Sequence, residues 1–523
     1  MHLAPYRTNI VLLASAIALA GCAGIPTDRG FSTSAALLTA HGGLTVSVPD
    51  SEIEAKRKTA DWLGAPLTVE SAQRIALTRN PRLVQQYARL GLAQAEIYDA
   101  ARISNPLFSF SWLDGSAGGE QIGLGLAQNF ADLLYLSPRK RRASGELSRI
   151  QQEVAGQLLK LAAEVEGAYY AYVSAVAVTE LRATIAATGK ASADLAQRFF
   201  DAGNLPQLEL SREQAASTEL SIAAARAAAQ VLTARTALNN LLGLTADEDH
   251  WTIATGLSLP VATEDELAAL QHMAEVSRLD LIAARGAVTV REDSLGVARS
   301  YRLVGDIAVG IDYERETDGS RLLGPSLGLT LPLFNWGSGK VERARAELEQ
   351  ARAEARQLEL DISNGVRLAH AAVLSAREIV QRYRSSLIPQ REAVVQHAAK
   401  LQNYMIIGQF EVLLAKQQEY EAYQSYLEAL GQYWTARANL AGVVGARLPR
   451  AAQIAVDGRE LSTSVAPPVA SGVAPEAPQT KMPDDIDMKG MDHPGHAMPP
   501  SQPTPDAQPA EKQPSPSHGE HHH

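Results

Sequence analysis

The chain has 523 residues, 46% of them hydrophobic, and a formal charge of −10 at pH 7. That length leaves room for several domains, and the hydrophobic content is ordinary for folded protein. The acidic balance, with no run of Lys and Arg interleaved with aromatics, excludes a nucleic-acid partner from the reading.

Residues 1–21 read as an export signal. After Arg7, the stretch Ile10 to Ala20 is apolar for about eleven residues, too short to span a bilayer at roughly 20. It runs into Leu19, Ala20, Gly21 and Cys22, which resembles a bacterial lipobox. Cys22 is the single cysteine of the chain, so it is the expected lipidation site and no internal disulfide can form. Ala23 stands where an Asp would resemble an inner-membrane retention signal, which favours the outer membrane.

Residues 22–64 mix Gly, Ser, Thr and Pro, and read as an extended tether with little regular structure. A first structural unit is expected over 65–250. It opens on a capping box at Thr68, and its first helix, carrying Ala72, Ile75, Ala76 and Leu77, stops near Asn80 and Pro81. A second helix reaches about Arg102. Alternation then predicts two strands. Phe108, Phe110 and Trp112 share a face opposite Ser109 and Ser111, and Ile122, Leu124 and Leu126 oppose Gly123, Gly125 and Ala127. From about Pro138 to Phe200 the pattern is helical, with Leu147, Val154 and Leu161 seven apart. Such a rod is on the order of 90 Å long. A turn over Asp201 to Pro206 sends another helix back to Gly243.

A second unit, 262–446, follows the same order. The pattern is helical from Glu264 to Ala298, a strand is expected over Asp306 to Glu314, and a polar loop runs through Thr317 to Ser320. In the next strand Leu327, Leu329, Leu331 and Leu333 fall on one side, with Gly328, Thr330 and Pro332 on the other. Helical heptads begin at Ser338, with Val341, Leu348, Ala355 and Ile362 in line, and Gly408 turns the chain into a last helix ending near Gly445. Thr233 to Arg235 match Thr435 to Arg437, Phe130 matches Phe334 and Gly203 matches Gly408, at offsets of about 202 to 205 residues.

Four alternating strands cannot close a barrel, and an open edge in hydrocarbon leaves backbone groups unsatisfied. Several chains are therefore expected to combine. A soluble sandwich is the competing reading of the strands, but it has no place for two long rods attached directly to hairpins.

The order of these features resembles the TolC-like outer membrane factor family over roughly residues 65 to 446. The resemblance is carried by Asn80 to Leu83, by Leu331 to Gly337, by Gly203 to Gln214 and by Gly408 to Gln418. It implies a membrane α+β protein in two internal repeats. Four strands per chain contribute to a trimeric twelve-stranded outer-membrane β-barrel, continued by a long α-helical coiled-coil periplasmic tunnel. Phe108, Phe110, Trp112, Leu327, Leu329, Leu331 and Leu333 are then lipid-facing. Expected partners are two further copies, a periplasmic adaptor, an inner-membrane pump of the RND type and outer-membrane lipid. The expected location is the outer membrane, lipid-anchored, with the tunnel in the periplasm.

No HExxH, G-x-S-x-G or Walker loop is present, so no enzyme and no cofactor are expected. His272, His370 and His397 stand singly in helical patterns and read as packing or surface residues. Gating is the expected mechanism, with the ends near Phe199 to Leu205 and Tyr404 to Phe410 drawing together when idle. Where the family carries two aspartates after its second turn, this chain has Glu411 and, in place of the other, Leu414. Glu411 supplies one acidic ring by that resemblance, and it also fits a helix-terminal carboxylate favoured by the helix dipole. Asp201 is the looser candidate on the other tip.

Residues 447–523 form a separate tail, rich in Pro, Ala, Ser and Gln beyond Ser462, and read as disordered. Met482, Met488, Met491 and Met498 are four of the chain's seven methionines, and they interleave with His493 and His496. Thioether and imidazole suit transient binding of Cu or Ag, though the same segment also reads as a low-complexity tail without selected ligands. The leading expectation is an exit duct of a tripartite system exporting copper, silver or other heavy-metal ions. A duct for drugs, solvents or type I secretion is one alternative, and a non-pore coiled-coil adaptor or scaffold lipoprotein is another.

Overall fold

The computed structural model describes residues 28–46, 52–114, 118–253, 256–303, 305 and 307–448. The stretch expected as an extended tether carries two helices, α1 (Phe31–Gly42) and α2 (Glu52–Leu63). Gly30 and Gly43 flank α1 in the left-handed region, at φ 78° and 63°. Asp28 accepts from the Ser32 hydroxyl at 2.7 Å and from the Gly30 amide, and these bonds lower its carboxyl pKa. The helix is short and rich in Ser and Thr, so its stability comes from docking rather than from propensity. Leu38 and Ser34 are fully buried, and Ser34 Oγ donates to the Gln151 carbonyl at 3.1 Å.

Thr68 starts α3 (Val69–Arg79) with the expected capping box, Ser71 N donating to Thr68 Oγ1 at 3.2 Å. Asn80 ends that helix and caps α4 (Pro81–Ala100), its Oδ1 accepting from Arg82 N at 2.8 Å. Strands β1 (Leu107–Asp114) and β2 (Glu120–Asn129) form the hairpin. The helix α5 spans Ala131–Asp201, 71 residues and about 105 Å of rod. It starts about two turns earlier than expected, because Pro138 lies within its first turns and does not break it. After the turn, α6 (Gln207–Leu242) returns.

The second half repeats this order. Helices α7 (Leu267–Ser277) and α8 (Leu279–Ser300) occupy the stretch expected as one helix. Arg278 separates them in extended backbone, where Asn80 separates α3 and α4, and the sequence signal is absent because Leu279 replaces the proline. Strands β3 (Ile307–Arg315) and β4 (Arg321–Leu329) follow, then α9 (Ser338–Arg382), a π turn over Tyr383–Leu387, α10 (Ile388–Asn403) and α11 (Gln409–Val444). Pro389 lacks an amide for the helix ladder, which accounts for the π turn just before it. The return helices α6 and α11 are equally long, 36 residues each.

Equivalent latches hold both halves. Asn80 Nδ2 donates to the Leu241 carbonyl at 2.8 Å, and Arg278 Nη1 donates to the Val443 carbonyl at 2.7 Å. Each carbonyl lies just before a left-handed glycine, Gly243 or Gly445. The linker between the halves is gripped at both ends. Arg235 donates to Asp249 Oδ1 at 2.5 Å and to the Trp251 carbonyl at 2.9 Å, while Arg437 donates to Glu264 Oε2 at 3.4 Å. A bidentate Arg79 holds the linker's Glu248 ionised, its pKa pulled down to about 2 by those hydrogen bonds. One core gathers Leu67, Ile75, Leu158, Val165 and Leu238; a second gathers Leu270, Val366, Tyr426, Leu430 and Tyr433. Tyr170 stacks on Trp434 at 5.1 Å between them.

Two left-handed glycines test this packing. A Cβ at Gly243 meets the Arg79 carbonyl at 2.8 Å, whereas one at Gly203 meets nothing within 4 Å, with φ 70° and 73°. Gly203→Ala is expected to cost about 1 kcal/mol and Gly243→Ala at least twice that. Thermal midpoints of the two purified variants check it, the Gly243 variant melting lower.

Candidate functional site

The strands form one antiparallel sheet in the order β1-β2-β3-β4, so the two predicted hairpins join through β2 and β3. Register places Phe108, Leu126, Ile311 and Pro325 in one cross-strand row, and Phe110, Leu124, Tyr313 and Leu323 in the next row on the same side. The opposite side carries Ser109, Gly125, Asp312 and Gly324 in one row and Leu107, Ala127, Gly310 and Ser326 in another. That side is closely filled: a Cβ at Gly125 meets Ser109 Oγ at 2.3 Å.

The apolar side is bare, with Phe108 64%, Ile311 60% and Leu327 65% exposed. Among the described residues nothing covers it. Among the described residues the outer strands β1 and β4 each keep one edge without a partner strand.

Leu327 and Leu329 lie in β4 as expected, but Leu331 and Leu333 do not. The strand ends at Leu329, opposite Ile307, the first residue of β3. Pro332 has no amide for a ladder, and the backbone runs irregularly to Ser338. Both leucines stay exposed beside Phe334 and Trp336. Gly337, at φ 72°, turns this segment into α9, where a Cβ would sit 2.5 Å from the Arg302 carbonyl. Phe130 makes the corresponding step into α5 directly.

At the far ends of the rods, two turns face each other. Gly203 is left-handed, and Pro206 leads into α6. In the second turn the left-handed residue is Met405, at φ 59°, while Gly408 is extended at φ −80° and leads into α11. Gly408 thus occupies the place of Pro206, and Met405 that of Gly203, which corrects the matched glycines. A left-handed methionine carries no sequence signal. The tips meet through Phe199 and Phe410, edge to face with ring centroids 6.5 Å apart.

Asp201 ends α5 and accepts from Gln197 Nε2 at 2.8 Å; Glu411 lies in the first turn of α11, next to Phe410. Both are exposed, and no hydrogen bond or ion pair joins them among the described residues. Tyr404, Met405 and Ile406 leave an apolar turn in solvent that periodicity does not reveal.

Cys22 and the residues Met482, Met488, Met491, His493, His496 and Met498 lie outside the described residues. Among the described residues no group of three or more His, Cys, Asp or Glu side chains is placed to hold a metal ion, and no helix is long and apolar enough to cross a membrane. His370 Nε2 lies 3.1 Å from the Asp265 carbonyl, in a packing contact.

Residues 270–446 match the family described as Outer membrane efflux protein. The chain is 27% identical over 326 residues to Protein CyaE of Bordetella pertussis, covering 58% of this chain and 68% of that protein. Among solved structures it resembles a membrane protein from Pseudomonas aeruginosa, with TM-score 0.63 and 18% identity over 72% of this chain and 92% of the other. It resembles CusC with TM-score 0.62 and 16% identity, over 72% and 92% of the two chains. The Campylobacter jejuni CmeC outer membrane channel matches with TM-score 0.63 and 14% identity, over 73% and 86%. The likeness to these structures shows a shared fold, that of outer-membrane-factor channels.

Proposed function

We propose that this chain is one protomer of an outer-membrane exit duct in a tripartite efflux system, anchored by lipid at Cys22. The observation that carries the proposal is the sheet: one exposed apolar face, one face of small and polar residues, and two unpaired edges, joined to rods on the order of 100 Å. Pairing β4 of one copy with β1 of the next satisfies both edges. Three copies give twelve strands, enough for a water-filled lumen.

The internal repeat supports assembly from a second direction. Helix α8 packs against both α5 and α9, whereas its counterpart α4 packs chiefly against α5. Val84 and Leu92, on the free side of α4, are 69% and 68% exposed. A neighbouring copy's α9 is the element that the repeat would place there.

In a trimer, Glu411 forms a ring of three carboxylates beside the Phe199 and Phe410 contact, and favours cations at the narrow end. Conductance of the purified protein in planar bilayers is the test. Discrete channels that prefer cations are expected, with Glu411→Gln lowering the preference while channels persist. A protein that inserts no pores would be a scaffold.

For cargo we infer copper or silver ions, supported by the methionines and histidines of the tail. Deletion is then expected to reduce copper and silver tolerance. Unchanged tolerance with lost drug tolerance would move the assignment to organic cargo.

A further inference from the structure

We propose that Arg315 and Arg321 form a clamp for the phosphate of a membrane lipid head group at the turn-side rim of the sheet. The inference rests on the reading that the sheet spans the outer membrane. Arg315 and Arg321 are direct cross-strand partners, and their row continues through Ile122 to Trp112. All four therefore lie on the apolar side of the sheet. Two like charges placed opposite each other repel, unless an anion lies between them. Both arginines are exposed, and no carboxylate pairs with either among the described residues.

The acids of β3 do not serve. Asp312 and Glu314 alternate with Ile311, Tyr313 and Arg315, and so point to the polar side, where Glu314 accepts from Gln121 Nε2. Asp114 and Glu120 share the arginines' side but face each other on the other hairpin, one row nearer the turns. No ion pair joins them to Arg315 or Arg321 among the described residues.

Depth fits a head group. From Ile307 to Arg315 the strand rises about 27 Å at roughly 3.4 Å per residue. At the usual barrel tilt this is about 20 Å of membrane height, near the apolar band of about 25 Å. The apolar rows end at the arginine row, so the guanidinium groups reach the polar interface by snorkelling, with Trp112 at the same level as an interfacial aromatic. Two planar forks on adjacent strands suit the oxygens of one phosphate, and a single lysine would not.

Native mass spectrometry of the full-length protein in neutral detergent tests the clamp. The probes are lipid A carrying two phosphates, the same lipid dephosphorylated, and inorganic phosphate. The wild type should retain the phosphorylated lipid about tenfold better than the Arg315→Gln/Arg321→Gln variant, with Arg315→Lys/Arg321→Lys between them. The dephosphorylated lipid should not distinguish wild type from variant. Equal retention of phosphorylated lipid by both proteins overturns the clamp. Retention of inorganic phosphate as strong as that of the lipid also overturns it, in favour of a general anion site. A trimer weakened by the double substitution, with lipid retention unchanged, would reassign the arginines to contact between copies. Conductance in zwitterionic bilayers is measured on every protein. A wild type that makes no channels defeats the membrane reading itself, whereas channels with equal retention defeat only the clamp.

Discussion

Ile311→Arg is expected to abolish assembly in the outer membrane, while Asp312→Arg, one residue along, still yields trimers. Ile311 lies mid-strand between Leu126 and Pro325 in the apolar row, and Asp312 points to the other side between Gly125 and Gly324. A charge at the bilayer midplane on a barrel's lipid face costs about 2–4 kcal/mol. Three copies multiply that to about 6–12 kcal/mol per barrel, comparable with the whole stability of a domain. On the polar side the same guanidinium enters water and exchanges one charge for another. The measurement is the amount of heat-sensitive oligomer in isolated outer membranes, resolved by unheated gel electrophoresis. If both substitutions assemble equally, the sheet does not sit in lipid and the duct reading falls.

Features whose information is local in the chain are legible in the sequence. The capping box at Thr68, the stop at Asn80 and the alternation of Phe108, Phe110 and Trp112 involve near neighbours in sequence, and each appears as expected. The heptad line through Leu348, Ala355 and Ile362 is buried as its spacing requires. Tertiary contact decided the rest. Helix α1 is held by Gln151 and by the burial of Leu38 on a rod far along the chain, information that a Ser- and Thr-rich window does not contain. The break at Arg278 is fixed by a hydrogen bond to Val443, and so left no proline to mark it. Leu331 and Leu333 continue the alternation of β4 past the point where a partner strand exists, which shows that alternation gives the face but not the end of a strand. At the tips, Phe199 and Phe410 meet edge to face, and the left-handed Met405 carries no signal in the sequence.

The largest loss of stability is expected at the buried charge pair of the linker, in Glu264→Ala. Arg437 and Glu264 are 8% and 4% exposed in their side chains, and the pair ties the inter-repeat linker to α11. Tyr433 Oη donates to Glu264 and accepts from Val261 N at 3.1 Å, while Trp434 Nε1 donates to the Ser258 carbonyl at 2.8 Å. Burial, with the neighbouring carboxylate, raises the Tyr433 phenol pKa, so the hydroxyl stays protonated and able to donate. Removing the Glu264 carboxylate takes a buried carboxylate partner from the Arg437 guanidinium and the acceptor from the Tyr433 hydroxyl. Breaking one side of such a pair costs about 3–5 kcal/mol. Replacing both partners with apolar groups of similar volume, Glu264→Leu with Arg437→Met, should recover much of the loss, since no uncompensated charge remains. The readout is the thermal midpoint of the purified assembly for Glu264→Leu, for Arg437→Met and for the two together, taken as a double-mutant cycle. Additive losses would mean that Arg437 and Glu264 act separately, and that the linker is held by Tyr433 and Trp434 alone. A recovered double variant would show that the pair serves chiefly to set where the linker lies between the two repeats. That placement matters because the linker runs from the latch at Gly243 to α7 and is the covalent connection between the two halves.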